Sequence, residues 1–150
     1  MSDLLLRWLQ HVHGHLAWLG VAALLHPAIV LRSPKRRAAL SAALSAAFVV
    51  ATAGTGAAIY PAYRERIRGS IFLDAPRLGW MFERKEHLAV GAVALAAAGC
   101  LAHLAIARRA DAETGLAMAR LAHRAFVASF VLALLAAAMG LAVASYRSLP

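Results

Sequence analysis

The chain has 150 residues, 62% of them hydrophobic, and a mean hydropathy of +0.67. So little polar sequence cannot cover the surface of a water-soluble domain, which excludes an ordinary soluble fold and predicts a bilayer as the solvent. The formal net charge of +9 does not indicate a nucleic-acid partner. The basic residues collect at the ends of the apolar segments, where anionic lipid headgroups are the expected partner.

Four segments are long and apolar enough to cross about 30 Å of hydrocarbon as helices. They cover residues 4–31, 38–60, 87–107 and 116–144. Because the connections are too short for another domain, we predict one all-α domain, an integral membrane antiparallel four-helix bundle. The N-terminus lacks the order of a cleavable signal peptide, since Asp3 precedes the first cation, Arg7, and we expect it to remain as the first span.

The connections between the spans predict two tight turns and one longer segment. Ser33 followed by Pro34 is typical of a helix N-cap and first helical position, so we expect the second helix to begin there. The middle connection, Pro61 to Glu86, mixes apolar and basic residues and predicts a short helix in the headgroup plane.

The two faces of the predicted bundle differ in what they carry. We call the face with both termini and the middle connection side A, and the face with the tight turns side B. Lys and Arg counts tie between the two sides, but their density in the short turns favours termini outside a bacterial inner membrane.

Four of the seven histidines lie in the first apolar segment: His11, His13, His15 and His26. Ionisable side chains at membrane depth are functional candidates by default. At about 100° per residue, His11, His15 and His26 share one stripe of an ideal helix, whereas His13 points nearly the opposite way. We therefore expect the three-histidine stripe to face the interior of the bundle.

Side A is predicted to hold the denser polar cluster. His11 and His15 lie level with the start of the third span, which carries Glu83 and His87 one helical turn apart. These four residues form a candidate transition-metal site with nitrogen and oxygen ligands. The alternative for the carboxylates is a solvated helix entrance with local ion pairs.

Side B is predicted to hold a thinner layer of His26, His103 and His123. Pro27 removes one backbone hydrogen bond and frees the carbonyl of Ala23, which His26 could satisfy locally. His103 and His123 could cap a helix or bind lipid phosphate, an alternative to holding a cofactor.

With histidines at both ends of a four-helix plan, the chain resembles the membrane b-type cytochromes built on four-helix bundles and, less closely, the CopD-like membrane proteins. The resemblance covers the four spans and His15, His26, His87 and His103. It implies one haem b near each membrane face, with imidazoles of facing helices as axial ligands. His87 and His103 depart from the family pattern, since they are 16 residues apart and about 160° out of phase, which raises His123 as a replacement for His103.

These features predict an electron carrier, or a haem-carrying subunit of a larger membrane complex, that exchanges electrons between a quinol and a redox partner protein. No residue is predicted to be catalytic, because the cofactor would carry the chemistry. Two alternatives stay open: a cofactor-free membrane scaffold, and a transition-metal binding or transport protein that uses the side A cluster.

Overall fold

The computed structural model describes residues 2–34, 37–106 and 112–146. Within these ranges all regular structure is helical: α1 (Asp3–Val30), α2 (Ala39–Arg66), α3 (Arg68–Asp74), α4 (Pro76–Ile106) and α5 (Ala112–Tyr146). The helices α1, α2, α4 and α5 are long and apolar enough to cross a membrane. The predicted all-α class and the four long apolar helices are confirmed.

The helix boundaries differ from the prediction around the middle connection. The helix α2 continues through Pro61 to Arg66, and α4 begins at Pro76, well before the predicted residue 87. Proline fits the first helical position because its missing N–H would have no partner there, so Pro76 starts a helix. The short helix predicted for this connection is present as α3, which begins at Arg68 rather than at Pro61.

The helix α2 begins at Ala39, so the prediction that it begins at Ser33 and Pro34 is wrong. Residues just after α1 bond back to that helix instead: the backbone N–H of Leu31 donates to the carbonyl of Pro27. The N-cap of α2 is Ala38, which has no side chain that can accept a hydrogen bond. Its own N–H donates to Nε2 of His103 on α4, at 3.1 Å.

Each long helix packs on two others: α1 on α2 and α5, and α4 on α2 and α5. The helices α1 and α4 therefore occupy diagonal positions. Between α1 and α2, His13 lies beside Thr52 and Gly20 beside Val49, so residue numbers fall along α2 as they rise along α1. Between α4 and α5, Gly91 and Gly99 contact Leu132 and Phe126, which gives the same opposed direction.

A side chain of α2 compensates for the proline inside α1. Pro27 has no N–H to bond the carbonyl of Ala23. The hydroxyl of Ser45, which is fully buried, donates to that carbonyl at 2.7 Å. His26, the predicted local donor, is exposed. The freed carbonyl therefore fixes a contact between α1 and α2 and leaves His26 without this role.

The buried apolar side chains form two clusters along the helices. The larger lies towards side B and includes Leu24, Ala96 and Phe126. The smaller lies at the side A end, where Tyr63 of α2 and Ile71 of α3 pack together. On every long helix a stretch of residues separates the two clusters, and that gap holds the candidate site.

Candidate functional site

A cavity of about 1030 Å³ lies between the two core clusters and is lined by all four long helices. This volume is at the upper end of the range for sites that hold a small molecule or cofactor. Towards side B the wall consists of small apolar residues such as Gly20, Ala92 and Ala137. Towards side A the wall carries its ionisable side chains: His11, His13, Tyr60, Tyr63, Glu83, Lys85, Glu86 and His87. The cavity is thus apolar at one end and ionic at the other.

His13 reaches the cavity wall from α1 and is held by α2. Its Nδ1 lies 3.0 Å from the backbone carbonyl of Thr52 and 3.1 Å from the hydroxyl of Thr55. A carbonyl can only accept, so Nδ1 carries the proton and Nε2 keeps a free lone pair. The ring also lies against Gly56, where an added Cβ would stand 3.0 Å from Cε1. Gly56 therefore leaves a slot for this imidazole, and the carbonyl of Thr52 fixes its tautomer.

His87 lines the same cavity from α4, on the diagonal helix, and like His11 it is exposed at the side A end. Its Nδ1 lies 2.8 Å from the backbone carbonyl of Glu83, one turn earlier, so this ring also keeps the Nε2 lone pair free. Two contacts between α2 and α4 fix their relative positions: Ala38 bonds to His103, and Tyr63 stacks on Phe82.

Between those two contacts, residue numbers fall along α2 as they rise along α4. Interpolation between the contacts puts His87 at the level of about residue 57 of α2. His13 contacts Thr52, Thr55 and Gly56 of the same helix. The two histidines are therefore within about one helical turn of the same level, on opposite sides of the cavity.

The carboxylates of the cluster pair with cations rather than with imidazoles. Glu83 accepts from Arg68 Nε at 3.0 Å, and this hydrogen bond, with the carboxylate charge, raises the pKa of the Arg68 guanidinium above its ordinary value. Glu86 lies 3.1 Å from Lys85 Nζ, which also stands 4.4 Å from the centre of the Phe82 ring. The Lys85 side chain is only 14% exposed, so it places a cation beside the cavity. His87 is oriented by the backbone carbonyl of Glu83 and not by a carboxylate side chain.

Tyr63 brings a buried hydroxyl to the side A end of the cavity. Its ring stacks on Phe82 with centroids 3.7 Å apart, and its Oη has no hydrogen-bond partner among the described residues. A buried hydroxyl without a partner is costly, so it marks a place where a bound molecule can supply the missing hydrogen bond.

The predicted histidine stripe of α1 faces outward. His15 and His26 are exposed and do not line the cavity, and His11 lines it but is exposed as well. The inward face is the opposite one, where His13 lies in phase with Gly20 and Leu24. One sequence signal does mark the outward face: Trp8, which is 64% exposed and of a type common at membrane interfaces, shares the stripe of His15.

None of the side B histidines lines this cavity. His103 is 7% exposed, and its Nε2 lone pair already accepts from Ala38 N–H, so it has none left for a metal unless α2 loses that bond. His123 is half-buried, and its Nδ1, like that of His103, has no partner within the described ranges. As cofactor ligands, His15, His26, His103 and His123 stay predictions that this arrangement does not support.

The predicted metal set is not gathered in one place. Within the part of the chain that the structure describes, no three His, Cys, Asp or Glu side chains lie close enough to hold a metal ion. Of the predicted His11, His15, Glu83 and His87, three line the cavity and His15 does not.

Comparison with known proteins gives no assignment: no family model, no curated protein and no solved structure matches this chain. The resemblance to membrane b-type cytochromes therefore stays a prediction, and the proposals below depend on the geometry of the cavity.

Proposed function

We propose that the four long helices cross a membrane as an antiparallel bundle, and that the cavity holds one b-type haem between His13 and His87 for electron transfer. The observation that carries the proposal is the pair of imidazoles on diagonal helices at one level. Each has its Nδ1 proton bound to a backbone carbonyl and its Nε2 lone pair free. Histidine ligands of metals are commonly oriented in this way by a hydrogen bond from the second ring nitrogen.

The remaining wall also fits such a group. Small residues along α4 and α5 leave room for a flat apolar ring system, and Lys85 offers a cation to acidic substituents at the side A end. The unpartnered Tyr63 hydroxyl can bond the same polar edge. A haem bound there supplies one-electron exchange, whereas the chain supplies the ligands, the apolar surroundings and the spacing.

The opposed directions of neighbouring helices and their apolar outer faces support membrane insertion. We place the protein in a bacterial inner membrane with both termini outside, because the short basic turns suit the cytoplasmic side. Its electron donor and acceptor would be a quinol and a redox partner protein. The ionic end of the cavity is the end beside α3. We expect electrons to be exchanged with these partners at that end.

The test is an absorbance spectrum of protein purified in mild detergent, before and after dithionite, with haem measured per chain. We expect a Soret band and a reduced α-band, and we expect His13→Ala and His87→Ala each to remove most of the bound haem. His15→Ala is the matched control, because His15 is on the same helix but outside the cavity, and it should keep full haem. A colourless wild-type protein, or full haem in both cavity variants, would contradict the proposal and favour the cofactor-free scaffold.

A further inference from the structure

A second cavity, of about 480 Å³, lies on the outside of α4 near its side A end. We call it the arginine groove, and its lining residues are Arg77, Trp80, Met81 and Arg84 of α4 with Met139 of α5. The four residues of α4 are spaced so that they form one stripe along the helix. At about 100° per residue, this stripe points roughly opposite to Glu86, which lines the candidate site.

The protein does not neutralise the two cations of this groove. Both arginines are exposed, and neither belongs to an ion pair among the described residues. Other arginines near side A do pair: Arg66 with Asp3, and Arg68 with Glu83. The groove arginines lie about 10.5 Å apart along the helix axis and border the same cavity. Two unpaired guanidinium groups in one groove favour a bound anion, and their paired N–H donors match phosphate.

The rest of the groove is apolar and continues along the seam between α4 and α5. Met81 and Met139 are half-buried, whereas Trp80 is 60% exposed, as is common for tryptophan at a membrane interface. Further along the seam, Leu88 follows on the same stripe of α4 and Leu135 lies one turn from Met139 on α5. Cations at the headgroup end and apolar side chains beyond them match the two parts of a phospholipid.

We propose that the arginine groove binds one phospholipid of net negative charge, with its phosphate between Arg77 and Arg84 and its acyl chains along Met81 and Met139. This inference rests on the proposed membrane insertion but not on the haem, because the groove and the candidate site lie on opposite faces of α4. The described lining residues include no carboxylate to pair with an ammonium group. The groove therefore favours an anionic headgroup over a zwitterionic one.

Thermal unfolding of delipidated protein in mild detergent tests this site. A ligand that binds only the folded chain raises the unfolding midpoint. We expect added phosphatidylglycerol to raise the midpoint, and phosphatidylcholine with the same acyl chains, or inorganic phosphate, to leave it nearly unchanged. Equal shifts with the two lipids would indicate ordinary solvation by lipid, and an equal shift with inorganic phosphate would indicate a site for a soluble anion. Either result, or no shift with phosphatidylglycerol, would overturn the proposal.

Two double variants with the same change in charge locate the site. The first, Arg77→Gln with Arg84→Gln, removes both cations of the groove. The control, Arg7→Gln with Arg64→Gln, removes two exposed arginines elsewhere on side A that line neither cavity. We expect the groove variant to bind phosphatidylglycerol about ten- to thirtyfold more weakly, the effect of two cations at a lipid surface, and the control to bind it nearly as the wild-type protein does. Equal losses in both variants would show that net charge alone attracts the lipid, which would overturn the proposal.

Haem content, measured on the same samples, separates this proposal from the proposed function. The groove variant should keep its haem, because its substitutions lie outside the candidate site. A colourless protein that phosphatidylglycerol stabilises specifically would support the groove and defeat the haem alone. A haem protein without lipid preference would defeat the groove alone, and a chain found outside the membrane fraction of the cell would defeat both.

Discussion

The Nδ1 atom of His13 lies 3.0 Å from the carbonyl oxygen of Thr52, across the contact between α1 and α2. The hydroxyl of Thr55 donates to the same oxygen at 2.9 Å. The hydroxyl of Thr52 donates to the backbone carbonyl of Phe48, one turn earlier on α2. The carbonyl that fixes the imidazole is therefore held by its own helix. The ring of His13 is thus oriented by neutral groups alone, and its free Nε2 lies in the cavity wall.

The slot for His13 predicts a large effect of one added methyl group. In Gly56→Ala the new Cβ would stand 3.0 Å from Cε1 of the imidazole, tighter than ordinary packing, so the ring must move. We expect haem per chain to fall by about half or more. The control is Gly54→Ala, two residues away on the same helix, where nothing lies within 4 Å. Equal haem in the two variants would show that the position of His13 does not matter.

Hydrophobicity alone predicts the four long helices but does not reveal which face of each helix points inward. In a bilayer both the lipid and the protein interior are apolar, so the two faces of α1 carry similar side chains. His15 and His13 then differ only in their angular position on the helix. The prediction made from that position, that the stripe of His15 faces inward, is wrong.

The cap of Ala38 by His103 could not be predicted either, because it joins residues 65 positions apart. Local signals at Ser33 and Pro34 indicated an earlier start for α2 than Ala39, where the structure has it.

Removing the side chain that caps α2 should lower stability. In His103→Ala the N–H of Ala38 loses its acceptor in a buried site, which costs about 1–3 kcal/mol, and the lost ring volume adds to this. We expect a lower midpoint of thermal unfolding, followed by circular dichroism in detergent. His26→Ala is the control, since its exposed side chain should leave the midpoint nearly unchanged. Similar midpoints for both variants would mean that water or lipid replaces the cap.

Ser45 and Pro27 should be coupled in stability. Ser45→Ala leaves the Ala23 carbonyl without a donor, which should cost about 1–3 kcal/mol. In a Pro27→Ala background the new backbone N–H can bond the same carbonyl, so Ser45→Ala should cost less there. A double-mutant cycle on unfolding free energies in detergent measures the difference. Additive costs would show that Ser45 acts mainly through its other acceptor, the carbonyl of Ser41.

The position of α3 against α4 depends on Gly79. A Cβ added there would stand 2.9 Å from two atoms of the Phe72 ring, which also meets Trp80 edge-on. Gly79→Ala gains helix propensity within α4, but the displaced ring should outweigh that gain and lower stability by about 1–3 kcal/mol. Gly69→Ala makes the same chemical change in α3 with nothing within 4 Å, so it should be neutral or slightly stabilising. Unfolding midpoints and limited proteolysis of residues 66–76 compare the two variants. Greater protection in Gly79→Ala than in the wild-type protein would contradict this account of how α3 is docked.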